Sequence, residues 1–392
     1  MTITDAASSL IPTLPGSSYT DPAVFAAEQE HIFEAMWFCA ARSSDVGAPG
    51  AFKTVQVGRE SVLITRNRKG EARAFFNVCR HRGSQVVPVD PALDPPAPCG
   101  AAALRCPYHS WTYDLDGRLL RAPHTEDVSD FEPADFGLKS VSAETWGGFL
   151  FLRLVPECPD PSSASSASSA SSAPGAPGLL ESLGAGTERI SRYPLDSLTV
   201  GATLTYDVRA NYKVILENYN ECYHCAGVHP ELVRLVPAFG RGGTGLDWES
   251  GIPHRPGAWT FTASGTSARA PFPGLDADEQ VRHKGELLYP NLLLSLSADH
   301  VAAFTLFPSA AGETRIICDL LFAPDEVARD GFDPSDAADF WHLVNQQDWA
   351  ICESVQRGMS SRGFTQGWFA PMEDASLDIR RWLLPRLGSA AP

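Results

Sequence analysis

Cys79-Arg-His81-Arg-Gly83 and Cys106-Pro-Tyr-His109-Ser-Trp111 are the two stretches on which the reading of this chain turns. Each supplies one thiol and one imidazole, soft and borderline donors that hold metals. Their order is Cys, His, Cys, His, whereas a Cys2His2 zinc finger pairs Cys with Cys and then His with His. Around them the sequence breaks into short β-rich runs at 52–57, 61–66, 74–78, 110–114 and 149–152. Turn signals such as Arg68-Lys-Gly70 and Asp114-Leu-Asp-Gly117 separate them. The pattern predicts a small all-β domain with both boxes on loops at strand ends.

Upstream, residues 22–36 place Val24, Phe25, Ile32, Phe33 and Met36 at helical intervals behind Asp21 as N-cap. Downstream, Pro156 to Gly178 is Ser, Ala, Pro and Gly with little charge and no face to bury, which predicts a flexible surface insertion. A strand is expected at 198–209, then a helix from Tyr212 through His224. Further strands at 259–262, 292–297, 300–307 and 314–322 suit an antiparallel sheet, and a long helix at 335–359 follows, capped by Ser335 or Asp336. The expected fold class is α+β, an N-terminal all-β domain plus a C-terminal domain whose antiparallel sheet is flanked by helices. The expected boundaries are an N-terminal helical region at 1–36, the all-β domain at 37–155, the insertion at 156–188 and the second domain at 189–392.

The second domain carries its own constellation, Glu217-Asn-Tyr-Asn-Glu221-Cys-Tyr-His224-Cys-Ala-Gly-Val-His229-Pro230. Two His five apart sit about 140° apart on an ideal helix and cannot share a metal from one straight face. Gly227 and Pro230 supply the necessary break. In the late helix Trp341, Val344, Ile351, Cys352 and Val355 form an apolar stripe with Asp348 in its middle. A carboxylate facing a core costs several kcal/mol unless something positive meets it. A divalent cation held by His224 and His229 would serve; the bland alternative pairs Asp348 with an Arg such as Arg357. Two His and one carboxylate on one face of a metal are the donor set of oxygen-activating non-haem Fe(II) sites.

Composition limits what such a chain does. Its 392 residues hold 31 Lys+Arg against 47 Asp+Glu, a formal charge of −16. That balance argues against nucleic acid, which needs clustered Lys and Arg. No run approaches the roughly 18 apolar residues of a membrane span, and Met1-Thr-Ile-Thr-Asp-Ala lacks the basic start of a signal peptide, so a cytoplasmic location with reduced thiols is expected. Cys222 and Cys225 are then read as packing.

The C-x-H and C-x2-H boxes resemble those of the Rieske family, and the two sites together, in this order, resemble the catalytic α-subunit of Rieske non-haem iron oxygenases from about residue 20 to 385. The resemblance implies a [2Fe–2S] cluster, with Cys79 and Cys106 on the inner iron and His81 and His109 on the outer. It implies mononuclear Fe(II) on His224, His229 and Asp348, with O2 as cosubstrate. Against the family, the spacer from His81 to Cys106 is long, and residues 91–103 read as a loop insertion. The family's head-to-tail homotrimer brings the cluster of one subunit to the iron of the next. Glu221 stands where the family carries a carboxylate bridging to a cluster His, here His109 of the partner subunit. Neither a dinucleotide-binding glycine fingerprint nor a plant-type cluster box is present, so electrons from NAD(P)H would arrive through a separate flavin- or ferredoxin-type reductase.

Glu at 221, where aromatic-ring dihydroxylases usually carry Asp, and the run Cys352-Glu-Ser-Val-Gln-Arg-Gly358 resemble the glycine betaine, carnitine and stachydrine monooxygenase branch. That implies hydroxylation of an N-methyl carbon of a quaternary ammonium compound, with loss of formaldehyde. Such a cation is bound by aromatic faces, for which Tyr212, Trp248, Trp259, Phe304 and Phe307 are the candidates. Two other readings stand beside this one: an oxygenase for an aromatic or other small apolar molecule, and a non-enzymatic zinc or electron-carrier protein.

Overall fold

The computed structural model describes residues 10–88, 100–154 and 177–387. The chain divides into two compact units, Phe33–Ser182 and Met1–Ile32 with Leu183–Pro392.

In the first unit the strands Phe38–Arg42, Phe149–Arg153, Ser140–Trp146, Ala72–Phe76, Glu60–Arg66 and Phe52–Val57 lie side by side in that order in one antiparallel sheet. Phe149–Arg153 is buried along its whole length on both faces, which explains the apolar run Phe149–Leu152. A smaller sheet of Leu104–Arg105, Thr112–Tyr113 and Leu119–Arg121 carries the second Cys/His box. A core of Leu63, Phe75, Val86, Trp111 and Tyr113 includes both Cys79 and Cys106.

The second unit is built on a six-stranded antiparallel sheet, in the order Thr199–Val208, Glu313–Phe322, His300–Ala310, Leu292–Leu296, Arg282–Leu288 and Ile252–Pro253. Helices Tyr212–Tyr219, Pro230–Leu235, Ser335–Met359 and Asp374–Leu387 flank it, giving the expected α+β class. The N-terminal helix Pro22–Glu28 belongs to this unit, and its Asp21 cap accepts from the Ala23 amide at 2.8 Å.

Several expectations are corrected. Residues 156–176 of the expected insertion lie outside the described residues, as do 155 before it and 89–99 of the spacer. The end of the expected insertion is helical at Leu179–Leu183 and Gly186–Arg189, because Leu179 and Leu183, one turn apart, bury a common face. Residues 259–262 are bends rather than a strand. The long helix is not capped by Ser335 or Asp336: Pro334 is at the cap, and Asp336 instead takes a two-pronged contact from Arg269. Ile351 and Val355 are each 38% exposed, so the inward face runs through Trp341, Val344, Asn345, Cys352 and Gln356, with Asp348 still on it. Cys222 and Cys225 are joined as a disulfide, against the expectation of reduced thiols.

Candidate metal centres

Asn211 starts the helix that leads to the second constellation, its side chain accepting from the Lys213 amide at 3.0 Å. That helix stops at Tyr219, five residues short of His224. The Glu221 carboxylate accepts from the backbone N–H groups of Tyr223 and His224, which diverts both donors from continuing it. A separate turn, Cys225–Val228, follows, and His229 leaves it with φ −119° and ψ 66°, swinging its ring back.

Three side chains converge there. His224 Nε2 and His229 Nε2 are 3.2 Å apart, and Asp348 Oδ1 lies 2.8 Å from His229 Nε2 and 3.5 Å from His224 Nε2. Donor atoms of all three fall within 4.8 Å of one another. Each Nδ1 is occupied elsewhere, by Glu221 Oε1 at 2.6 Å for His224 and by Gln347 Oε1 at 2.8 Å for His229, so both Nε2 atoms face the common point. Burial pushes the Asp348 carboxyl up, but hydrogen bonds from His224 and His229 outweigh it and hold the group below its ordinary value. For His224, burial pushes down and the two carboxylates Asp348 and Glu221 push harder the other way, to about 9. The pocket thus demands positive charge. Arg357 does not supply it, being 3.7 Å from Glu353 instead. The donor set, two neutral-capable imidazoles and one carboxylate, fits a divalent first-row metal.

In the first unit the two boxes are closed by their own backbones. Cys79 N donates to Ser84 O and Gly83 N to Cys79 O, with Gly83 at φ +75°, a conformation that glycine adopts freely. Cys106 N donates to Trp111 O and Ser110 N to Cys106 O. Cys79 and Cys106 are buried, while His81 and His109 stand at the rim with ring centroids 4.6 Å apart. Trp111 stacks on His81 at 5.0 Å. Tyr113 Oη accepts from the Arg80 amide at 3.1 Å and is hydrogen-bonded to Cys79 Sγ at 3.3 Å. Buried sulfur donors with imidazoles outside them suit a cluster that exchanges electrons at its His side.

A cavity of about 1060 Å³ opens onto His224, His229 and Asp348. Tyr219, Phe304, Trp341 and Phe261 form a chain of ring contacts along its wall, with centroid separations of 6.3, 5.8 and 5.4 Å. Phe239 and Trp248, 5.9 Å apart, add a second pair. Of the five aromatic candidates, Trp248 and Phe304 line this cavity and Tyr212, Trp259 and Phe307 do not. Tyr212 is wholly buried beneath the Lys213 ammonium, 4.6 Å from its ring. Trp259 sits in a tight loop closed by its amide on Gly265 O. Phe307 points to the opposite side of its strand from Phe304 and Leu306, as alternation requires. Phe261 and Phe239 lie outside regular strands and carry no period to betray them. Trp341 is legible as the residue two turns before Asp348. Seven carboxylates line the cavity against two arginines, and Arg189 and Arg381 are already paired with Glu286 at 2.5 Å and Asp374 at 3.3 Å.

Comparison with known proteins identifies the family. Residues 36–132 match the Rieske [2Fe-2S] domain and residues 195–389 the ring hydroxylating alpha subunit (catalytic domain). The chain belongs to the Rieske non-haem iron oxygenases, and with them it is an oxidoreductase that uses a [2Fe–2S] cluster, a mononuclear iron and O2. It is 30% identical over 417 residues to the glycine betaine monooxygenase oxygenase subunit of Chromohalobacter salexigens, covering 97% of this chain and 88% of that protein. To the carnitine monooxygenase oxygenase subunit of Escherichia coli it is 28% identical over 371 residues, covering 93% and 88%. In fold it resembles the quaternary ammonium Rieske monooxygenase CntA solved with L-carnitine, at a TM-score of 0.69, 23% identity and 95% and 96% coverage. It also resembles naphthalene 1,2-dioxygenase from Rhodococcus sp. bound to indole, at 0.68, 19%, 95% and 94%. Membership removes the non-enzymatic reading. Among the described residues no helix is long and apolar enough to cross a membrane.

Proposed function

We propose that this protein is the oxygenase component of a monooxygenase that hydroxylates an N-methyl carbon of a quaternary ammonium compound of the glycine betaine type. The observation that carries the reading is the cavity itself. Aromatic faces and an excess of carboxylates meet beside the His224, His229 and Asp348 donors. A methylated ammonium offers no hydrogen-bond donor, so ring faces and negative field are what bind it. A neutral aromatic substrate has use for the rings and none for the carboxylates.

His224, His229 and Asp348 would hold the iron, and Cys79, His81, Cys106 and His109 the cluster. When bound, the iron supplies oxygen activation and the cluster one-electron delivery. The chemistry balances when the N-methyl ammonium, O2, two electrons and two protons give the N-hydroxymethyl ammonium and water. The carbinol then breaks its C–N bond to release formaldehyde, the tertiary amine and a proton. The chain's part would be to place the methyl group: Trp341 and Phe304, both buried in the cavity wall, would face the cation and keep water from the reacting carbon.

Electrons would come from NAD(P)H through a separate reductase and pass between copies in a homotrimer. Residues 37–155 would carry the relay and 189–392 the oxygen chemistry. The cluster tip carries Arg80, Arg82 and Arg105 and no carboxylate over residues 79–88 and 100–113, in a chain of charge −16. It therefore suits the acidic surround of Glu221, Glu373 and Asp378 at the catalytic cavity of a second copy. Glu221 would bridge to His109 of the partner subunit. A cytoplasmic location goes with an NAD(P)H-dependent donor.

The test is incubation of the loaded enzyme with a reductase, O2 and a panel of betaines, read by oxygen uptake and formaldehyde. Formaldehyde in step with oxygen is expected. An aromatic acid hydroxylated while every betaine is left untouched would overturn the proposal.

A further inference from the structure

We infer that Gln347 is a positioning residue for the mononuclear site, an amide clamped by Glu231 that fixes the tautomer and ring direction of His229. The inference rests on the reading of His224, His229 and Asp348 as iron ligands.

His229 is 1% exposed, so the direction of its ring is set by its protein partners. Its Nδ1 lies 2.8 Å from Gln347 Oε1, and Gln347 Nε2 donates to Glu231 Oε2 at 3.0 Å. The other oxygen of Glu231 accepts from Arg234 Nη2 at 3.1 Å. A carboxylate paired with an arginine only accepts, and both oxygens of Glu231 are taken, one by Arg234 and one by Gln347, so it has no proton to offer the amide oxygen. The amide therefore cannot flip: its nitrogen must face Glu231 and its oxygen must face His229. An oxygen acceptor at Nδ1 places the ring proton there and leaves the lone pair on Nε2, the atom directed at His224 and Asp348.

The two imidazoles are tied down differently. Glu221, a charged acceptor, contacts His224 directly, whereas His229 meets a neutral amide with the charge one group further away. Gln347 also stands next to Asp348 on the long helix, and Glu231 lies two residues after His229 in the first turn of Pro230–Leu235. The Gln347 to Glu231 bond thus ties the two elements that carry His229 and Asp348 together without passing through the metal.

The test uses the full-length, cluster-loaded protein, freed of mononuclear iron and titrated anaerobically with Fe(II), with the visible cluster spectrum and the Tm followed alongside. Gln347→Leu keeps the size of the side chain and removes the acceptor. It should weaken Fe(II) binding roughly 10- to 100-fold while leaving spectrum and Tm in place. The exchange Gln347→Glu with Glu231→Gln rebuilds the same pattern, an acceptor for His229 held by an amide donor, and should recover most of the affinity. Parent affinity in Gln347→Leu would overturn the inference, as would an equal loss in the exchanged pair, which would leave only packing at 347. Asp348→Ala serves as the separate check on the site: if it binds Fe(II) as the parent does, the ligand reading fails rather than the role of Gln347.

Discussion

Asp348 shares the inward face of its helix with Trp341, Val344 and Cys352, where a bare carboxylate would cost several kcal/mol. Burial pulls the His224 pKa down, but Asp348 and Glu221 raise it to about 9, which marks the same demand for positive charge. Asp348→Ala should therefore abolish mononuclear iron binding and turnover while the cluster spectrum stays, checked by iron-to-protein ratio and EPR on one sample. Loss of the cluster instead would contradict the assignment. Glu221→Gln keeps the size of the side chain and weakens the acceptor at His224 Nδ1 and toward a partner subunit. Both metals should remain while product formation slows at least tenfold, measured in single turnover. The His and Cys donors were legible in the sequence because each falls in a box a few residues long, and Asp348 because it breaks an apolar period. Gln347 was not, since its partner His229 is 118 residues away and nothing local marks an amide as an orienting group.

At the scale of elements, helix Tyr212–Tyr219 leads into the proposed iron site, and it is fixed from behind by charge. Lys213 Nζ and Glu28 Oε1 are 2.6 Å apart with neither side chain exposed, joining this helix to Pro22–Glu28. Burial drives the Lys213 pKa down and that of Glu28 up, so each ion depends on the other. Glu28→Ala should cost about 3–5 kcal/mol, because it strands a buried cation, whereas Glu28→Leu with Lys213→Met should cost much less; thermal or chemical denaturation decides. Glu217, on the same helix, takes a 2.7 Å hydrogen bond from Tyr19 Oη, and burial pushes its pKa up to about 7 from an ordinary 4.5. The folded chain then holds more protons than the unfolded one between those two values, and stability falls as pH rises through that window. Glu217→Gln leaves Tyr19 an acceptor and removes the titration. Its Tm should therefore decline less than that of the parent between about pH 5 and pH 8. The sequence pattern carried this helix through to His224; the structure ends it at Tyr219 because a side chain, Glu221, takes the backbone donors, and propensity cannot show that. The strands at 52–57 and 292–297 were readable from composition, while the packing of residues 259–262 as bends depends on contacts far away in the chain.

At the scale of the whole molecule, one chain carries both a relay and a reaction centre, and the proposed trimer makes them work across subunits. Two variants separate the possibilities. Cys79→Ala leaves a copy without its cluster but with His224, His229 and Asp348 intact, and Asp348→Ala leaves a copy with the cluster alone. Each should be inactive when made by itself. If electrons cross between copies, a mixed ring contains ordered pairs in which the cluster of one copy faces the intact iron site of the next. Random assembly of a closed head-to-tail ring in equal amounts makes about one such interface in four functional. Co-expressed variants should thus recover about a quarter of parental formaldehyde production, a fraction set by that pairing. The same samples at rising salt should lose coupled turnover if the basic tip of Arg80, Arg82 and Arg105 meets the acidic cavity surround, since exposed charges are screened over about 8–10 Å. No activity from the mixture, with trimers of both variants present by mass measurement, would mean that each copy feeds its own iron and that Glu221 serves only to hold His224.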